Sequence, residues 1–262
     1  MRLILLFQTT KAEKYGTIKD KGDDGSMIVY GKNPVMEALN SNRPILRAMV
    51  LENTNRELTE LLQKKAVPIT VMNKKRFQDS YPGLTQGIVA DVTDYRIWNL
   101  KEWLEGIDIA TYPLVVLLDG IQDPHNFGAI IRSAEAGGAT GIIVPKNRSV
   151  SVTPTVVKSS SGAIEYLPII EVVNLSQAIE ALKAGGFWIV GTVVDGLIDY
   201  TECFADRPVC LVIGSEGKGM SKQIREHCDQ LVRVPMTGKI NSLNASVTAG
   251  IIIFDIMRRK RV

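Results

Sequence analysis

The chain has 262 residues, 45% hydrophobic and 23% charged, and its 31 Lys and Arg against 28 Asp and Glu leave a formal charge of +3. This composition excludes a disordered or collagen-like chain, and no apolar run approaches the roughly 20 residues that span a bilayer. The near balance of charge argues against a protein that holds nucleic acid by bulk charge alone, and the length predicts two domains.

Residues 1–26 begin with a short apolar stretch, Leu3 to Phe7, and continue with Lys, Asp, Glu, Gly and Thr. The stretch is shorter than the apolar region of a signal peptide, and no small-residue cleavage pattern follows it. It predicts a disordered extension, or sequence upstream of a functional start at Met27. A strand over residues 2–7 is the alternative.

From Met27 the texture changes. Ile28 to Tyr30 predicts a strand, a helix follows near Pro34 to Leu39, and Arg47 to Leu51 predicts a second strand. Arg56 to Lys65 reads as a helix with Leu58, Leu61 and Leu62 on one face. Pro68 to Met72 predicts a strand, Asn73 to Asp79 a short basic helix, and Gly87 to Val92 a closing strand. The alternation makes residues 27–93 a small α/β domain. Residues 94–110 carry Trp98 and Trp103 and read as a linker, with a short helix that docks.

Residues 111–262 repeat the alternation with longer strands. Leu114 to Leu118 is a continuous apolar run, as expected of a strand buried on both faces. Further strands are predicted at Gly141–Val144, Trp188–Thr192, Val209–Ile213 and Leu231–Val234, and a last helix at Ser242–Arg259. The pattern is that of a parallel sheet. The odd set of Cys203, Cys210 and Cys228 contains no C-x-x-C pair, which argues against a disulfide framework or a zinc site and fits a reducing cytoplasm. His125 and His227 are too few and too separate for a metal cluster.

Three segments carry polar groups where a strand hands over to a helix. In the first, Leu118 to Ala134, a strand ends at Asp119-Gly120 and a polar turn leads to Asn126, a favourable N-cap. Arg132 follows six residues later, and both can address the carboxyl edge of the sheet, where open α/β sheets bind ligands. A cap and a solvated helix charge explain this segment equally well on its own. The second, Leu211 to Met220, sets Gly214, Gly217, Gly219 and Glu216 after a buried strand, so the backbone can approach a ligand. Its spacing is neither a P-loop nor G-x-G-x-x-G. The third, Val234 to Val247, places Ser242 and Asn244 around Leu243 before a long apolar helix, which a helix cap alone would also explain.

Together, in order and spacing, the three segments resemble the three motifs of the SpoU/TrmH family of RNA ribose 2′-O-methyltransferases of the SPOUT superfamily. The segments Tyr30 to Leu39 and Gln86 to Ala90 are similar to that family's RNA-binding domain, itself like ribosomal protein L-thirty-e. Thr85 departs from the pattern, since relatives often have His there. The resemblance covers residues 27–262, and the most similar subgroup is the RlmB type, which methylates a guanosine of 23S rRNA.

The resemblance implies a C-terminal parallel-sheet domain with a deep trefoil knot, a homodimer built through it, S-adenosyl-L-methionine as cofactor and RNA as partner, with neither DNA nor membrane. It implies a cofactor site at Gly214, Val234 and Leu243, with Thr192 and Met236 as further candidates. Arg132 is the implied activator of the ribose hydroxyl, oriented by Asn126 and Glu216, while Ser242 and Asn244 shape the pocket. A guanidinium has no acceptor, so Arg132 either holds phosphate and stabilises an alkoxide or, as proposals for the family have it, abstracts the proton. Lys32, Arg43, Lys74, Lys75, Arg76 and Arg148 are the candidate RNA contacts. The alternatives are the same chemistry on tRNA, a resistance rRNA methyltransferase, or an RNA-binding protein without activity.

Overall fold

The computed structural model describes residues 26–147, 149–240 and 242–260. The expectations for residues 1–25 and for Arg148 lie outside them. The chain divides into two compact units between Asp94 and Tyr95.

The first unit comprises β1 (Met27–Tyr30), α1 (Lys32–Asn40), β2 (Ile45–Leu51), α2 (Arg56–Lys64), β3 (Ile69–Met72), α3 (Lys74–Ser80) and β4 (Ile88–Val92). Its sheet runs β1-β4-β2-β3 and is mixed, antiparallel across β4 and parallel between β2 and β3. The β4 run Ile88-Val89-Ala90 is fully buried, and Val35, Ala38, Leu58 and Leu62 of the helices cover the sheet. Helix α1 starts two residues before the predicted Pro34, because Gly31, at φ +100°, turns the chain out of β1 directly into it.

The second unit holds β5 (Ile97–Trp98), α4 (Leu100–Glu105), β6 (Leu114–Asp119), α5 (Pro124–Gly137), β7 (Gly141–Pro145), α6 (Pro154–Ser159), β8 (Ile169–Val172), α7 (Leu175–Ala184), β9 (Trp188–Thr192), β10 (Ile198–Asp199), β11 (Val209–Gly214), α8 (Lys222–His227), β12 (Gln230–Arg233) and α9 (Ala245–Lys260). Its eight strands are all parallel, in the order β10-β12-β9-β11-β6-β7-β8-β5. Strand β6 sits centrally with Leu114 to Leu118 at zero exposure, the consequence of helices on both faces. Parallel strands place all their carboxyl ends on one edge, and β11 enters between β9 and β6 there.

Residues 95–110, expected as a linker, are built into this second unit. Strand β5 pairs with β8, and α4 buries Trp103 to 3% exposure against Phe187. The Trp103 indole N–H donates to the Thr140 carbonyl at 3.2 Å, so the ring satisfies its one polar group while burying its apolar body. Asn126 is not the N-cap of its helix. Asp123 takes that place, accepting from the His125 N–H at 3.0 Å, with Pro124 preset for the first turn. The last helix begins at Ala245 and not at Ser242, with Asn244 as its cap. All three cysteines are free; burial pushes the Cys210 thiol well up and that of Cys228 up to about 12, so both stay protonated at neutral pH.

Helices α5 and α9 pack closely through a glycine. A Cβ at Gly137 would stand 2.4 Å from Cγ2 of the fully buried Ile253. Gly137→Ala is therefore expected to destabilise the protein by about 1–3 kcal/mol, read as a lower urea midpoint at constant slope.

Candidate active site

Three loops leave the carboxyl edge next to one another: residues 193–197 after β9, 215–221 after β11 and 234–244 after β12. They enclose a cavity of about 600 Å³. Its wall includes all five expected cofactor positions, Thr192, Gly214, Val234, Met236 and Leu243, together with Glu216, Ser242 and Asn244. The lining mixes apolar side chains with hydroxyls and amides.

The loop after β11 is a closed turn. Ser215 and Gly219 exchange backbone hydrogen bonds at 3.1 and 2.9 Å, and the Ser221 N–H donates to Asp119 Oδ2 at 2.7 Å, which ties the turn to the end of β6. Thr192 ties β9 to β11, its hydroxyl donating to the Val212 carbonyl at 3.0 Å.

Asn126, Glu216 and Asn244, one from each segment, meet in a triangle. Asn244 Oδ1 accepts from the Ser246 N–H (2.8 Å) and hydroxyl (2.6 Å), so its amide nitrogen faces inward. That nitrogen donates to Asn126 Oδ1 at 2.9 Å and to Glu216 Oε1. Asn126 Nδ2 then donates to the same Glu216 oxygen at 3.0 Å. The α9 cap thus fixes the orientation of both amides, and Asn126 is nearly buried at 7% exposure. The arrangement joins the start of α5, the glycine-rich turn and the start of α9 into one frame around the cavity.

Arg132 is not part of that frame. Six residues along a helix are about 9 Å of rise and roughly 240° of rotation, which carries it off the Asn126 face. Its side chain is exposed and has no hydrogen bond or ion pair among the described residues, so Asn126 and Glu216 orient each other and Asn244, not Arg132. Arg132 lies beside Ser133, which faces Gly250 of α9, and the α9 residues Val247 and Phe254 are 48% and 51% exposed.

In the first unit Lys32, Lys74, Lys75 and Arg76 are exposed. The last three crowd the first turn of α3, where a helix disfavours cations. The Lys32 N–H donates to Gln86 Oε1 at 2.8 Å, joining the two segments that carried the resemblance. Arg43 differs from the expectation: its guanidinium donates to the Thr93 and Asp94 carbonyls at 3.0 and 3.1 Å, a commitment to the end of the unit's own fold.

Sequence reasoning missed a charged pair on the cavity wall. Arg225 of α8 donates to Asp195 Oδ2 at 3.1 Å and holds the Asp195 carboxyl below its ordinary pKa, chiefly through that hydrogen bond. The available signal was an acid-glycine turn, Asp195-Gly196, just beyond a buried strand.

Residues 113–254 match the SpoU rRNA Methylase family, and residues 28–98 match the RNA 2′-O ribose methyltransferase substrate binding family. YacO of Bacillus subtilis (strain 168), a TrmH family protein provisionally named a tRNA/rRNA methyltransferase, is 40% identical over 237 residues, 88% of this chain and 95% of its own length. Among solved structures, the SpoU methyltransferase AviRb of Streptomyces viridochromogenes in complex with AdoMet is similar at TM-score 0.78 and 29% identity, over 91% of this chain and 92% of that one. The AdoMet-bound rRNA methyltransferase of Sinorhizobium meliloti is similar at TM-score 0.75 and 25% identity, over 89% and 87%. With both of its units matched and one polar residue from each of the three segments gathered at one sheet edge, the chain belongs to the SpoU (TrmH) family of RNA 2′-O-ribose methyltransferases.

Proposed function

We propose that the protein transfers a methyl group from S-adenosyl-L-methionine to the ribose 2′-hydroxyl of a guanosine in 23S rRNA. The observation that carries this reading is the cavity at the carboxyl edge, which all three loops line and the Asn126–Glu216–Asn244 triangle braces. The residues present fit the cofactor. A cavity of about 600 Å³ lies within the roughly 300–1,000 Å³ of small-molecule sites. Ile213, Val234, Met236 and Leu243 offer apolar contact for an adenine, while Thr192, Ser242 and Asn244 offer polar groups for the rest.

When bound, S-adenosyl-L-methionine supplies a methyl group activated by its sulfonium. The protein's own part is to align the ribose oxygen with that methyl and to ease removal of one proton. Arg132 supplies positive charge to an RNA phosphate and to the oxygen as it loses its proton. Ser242, on the cavity wall, shapes the entrance for the ribose. The first unit holds the RNA through Lys32, the Lys74-Lys75-Arg76 cluster and, with the second unit's Arg148, through placed charges and shape.

The homodimer belongs to the same reading. Val247 and Phe254, seven residues apart, form an exposed apolar stripe on α9, which packs on α5 at Ser133 and Gly137. A second copy covering this face buries the stripe and brings the exposed Arg132 of one protomer to the neighbourhood of its partner. The insertion of β11 between β9 and β6 is consistent with a deep trefoil knot in this domain. For the target, likeness to an rRNA methyltransferase extends over both units of the chain.

The test is methyl transfer from labelled S-adenosylmethionine to unmodified 23S rRNA and to tRNA, with the modified nucleotide mapped. A single 2′-O-methylguanosine in 23S rRNA is expected; transfer to tRNA alone overturns the target, and no transfer to either overturns the activity. Arg132→Ala is expected to lower transfer by about 100-fold or more with cofactor binding unchanged, and near-full activity would remove Arg132 from the mechanism.

A further inference from the structure

Methyl transfer to a hydroxyl releases one proton, and a guanidinium, which is all donors, has nowhere to put it. The acceptor has to stand where it can reach the same hydroxyl as Arg132. The packing of α5 shows which residues share that place. On one flank Gly128 meets α6, where a Cβ would stand 2.6 Å from Cβ of Ser159. On the other flank Ser133 faces Gly250 of α9, and Gly137 faces Ile253. Phe127, Ile130, Ile131 and Ala134 are buried beneath. Between the flanks runs an open strip in which His125, Arg132 and Ala136 are exposed and Ala129 is half-buried.

Residues 125 and 132 are separated by about 10.5 Å of rise and point within roughly 20° of one another. Helical side chains lean toward the helix N-terminus, so the long side chain of Arg132 extends back along the strip toward His125, past the small Ala129. The helix carries both as one body: whichever protomer's cavity Arg132 serves, His125 comes with it.

His125 is also chemically available. Its backbone N–H donates to Asp123 in the helix cap at 3.0 Å, while its ring has no hydrogen bond or ion pair among the described residues. The other histidine, His227, is bound to Glu180 at 2.9 Å, between α8 and α7. Glu216 is held to Asn126, which points about 100° around the helix from His125 and so lies off the strip. A neutral imidazole offers one acceptor nitrogen, and histidine is the side chain that exchanges a proton near neutral pH.

We infer that His125 is the catalytic residue that accepts the proton of the ribose 2′-hydroxyl, beside Arg132 on the same strip of α5. The hydroxyl oxygen bonds to the methyl carbon, and the carbon–sulfur bond breaks with its electron pair left on sulfur. The proton passes to the free ring nitrogen and from there to water. The inference rests on the methyltransferase reading and deepens it by naming the acceptor.

Steady-state methyl transfer by His125→Ala and His125→Gln tests it, on whichever of 23S rRNA and tRNA the unaltered protein methylates. Each variant is expected to lower kcat by about 100-fold or more, with KM for RNA and affinity for S-adenosylhomocysteine within about threefold of the unaltered protein. Added imidazole is expected to restore His125→Ala by about tenfold or more, and to leave His125→Gln unmoved, because glutamine fills the space and takes up no proton. The side chain is exposed, so the melting temperatures of both variants should equal that of the unaltered protein. Activity of His125→Ala within about threefold overturns the assignment. A loss carried by KM for RNA with kcat kept makes His125 an RNA contact and overturns it, as does a loss of kcat that imidazole does not repair. An unaltered protein that methylates neither RNA overturns the methyltransferase reading itself, and this inference with it.

Discussion

Asn126→Ala is expected to lower methyl transfer by about 100-fold or more, without removing any group that lines the cavity. Asn126 is the vertex that joins the start of α5 to both other segments: it donates to Glu216 at 3.0 Å and accepts from Asn244 at 2.9 Å. Alanine leaves an Asn244 amide proton without its acceptor and Glu216 Oε1 with one donor in place of two. Each such loss at a partly buried site costs about 1–3 kcal/mol, and the frame relieves it by letting the glycine-rich turn and the first turn of α9 drift apart. A displacement of order 1 Å at a reacting centre is enough for a loss of about 100-fold. Asn126→Asp is expected to be worse than Ala at neutral pH. It replaces a donor to Glu216 with a second carboxylate, and two like charges at hydrogen-bond distance cannot both stay ionised cheaply. Steady-state methyl transfer with the two variants decides the matter. Retention of activity within about threefold by Asn126→Ala would mean that the loops hold their places without the triangle.

This triangle marks where the sequence stops being legible. Each of its residues stands out locally as a polar group at the mouth of a helix or turn, and each has a sufficient local explanation. Their meeting does not follow from any local pattern, because Asn126 is 90 residues from Glu216 and 118 from Asn244. Only the parallel sheet, which sends every strand's carboxyl end to one edge, brings them together. The long buried runs were readable for the converse reason: Leu114 to Leu118 has no polar alternation to confuse with a helix face. Strands β5 and β10 escape the sequence because two residues carry no pattern to separate from a loop, and β8 because Glu171 interrupts its apolar run. Asn126 reads as a cap because the amide is a good one; Asp123 followed by Pro124 is better, and it leaves Asn126 free for the frame. Arg43 had the chemistry of an RNA contact, but nothing in the sequence discloses that two carbonyls some fifty residues away occupy it. Asp195 does not stand out in the sequence, because an acid beside a glycine in a loop is ordinary; only the fold puts it on the cavity wall.

Gly214→Ala should abolish cofactor binding, with an affinity loss of about 100-fold or more, and should lower the melting temperature as well. The reason is contact and not backbone freedom. A Cβ at Gly214 would stand 2.3 Å from both the Gly219 carbonyl carbon and the Met220 nitrogen. Backbone cannot swing aside as a side-chain tip can, so the whole turn must lift. Lifting it breaks the Ser215–Gly219 pair and the bond from the Ser221 N–H to Asp119 Oδ2, the attachments that hold the turn over the cavity. The loss of about three hydrogen bonds, at about 1 kcal/mol each and more for the one to a carboxylate, sets the scale. Gly217 in the same turn makes the control. It has φ +79° with nothing within 4 Å of its missing Cβ, so Gly217→Ala meets only the cost of a left-handed conformation, about 1–2 kcal/mol, and leaves the wall intact. Titration of the two variants with S-adenosylhomocysteine separates the effects. Gly217→Ala should bind within about tenfold of the unaltered protein while Gly214→Ala shows no measurable binding. Equal affinities would mean that the turn yields without opening the site, and the packing of 214 against 219 and 220 would then be incidental to the cofactor.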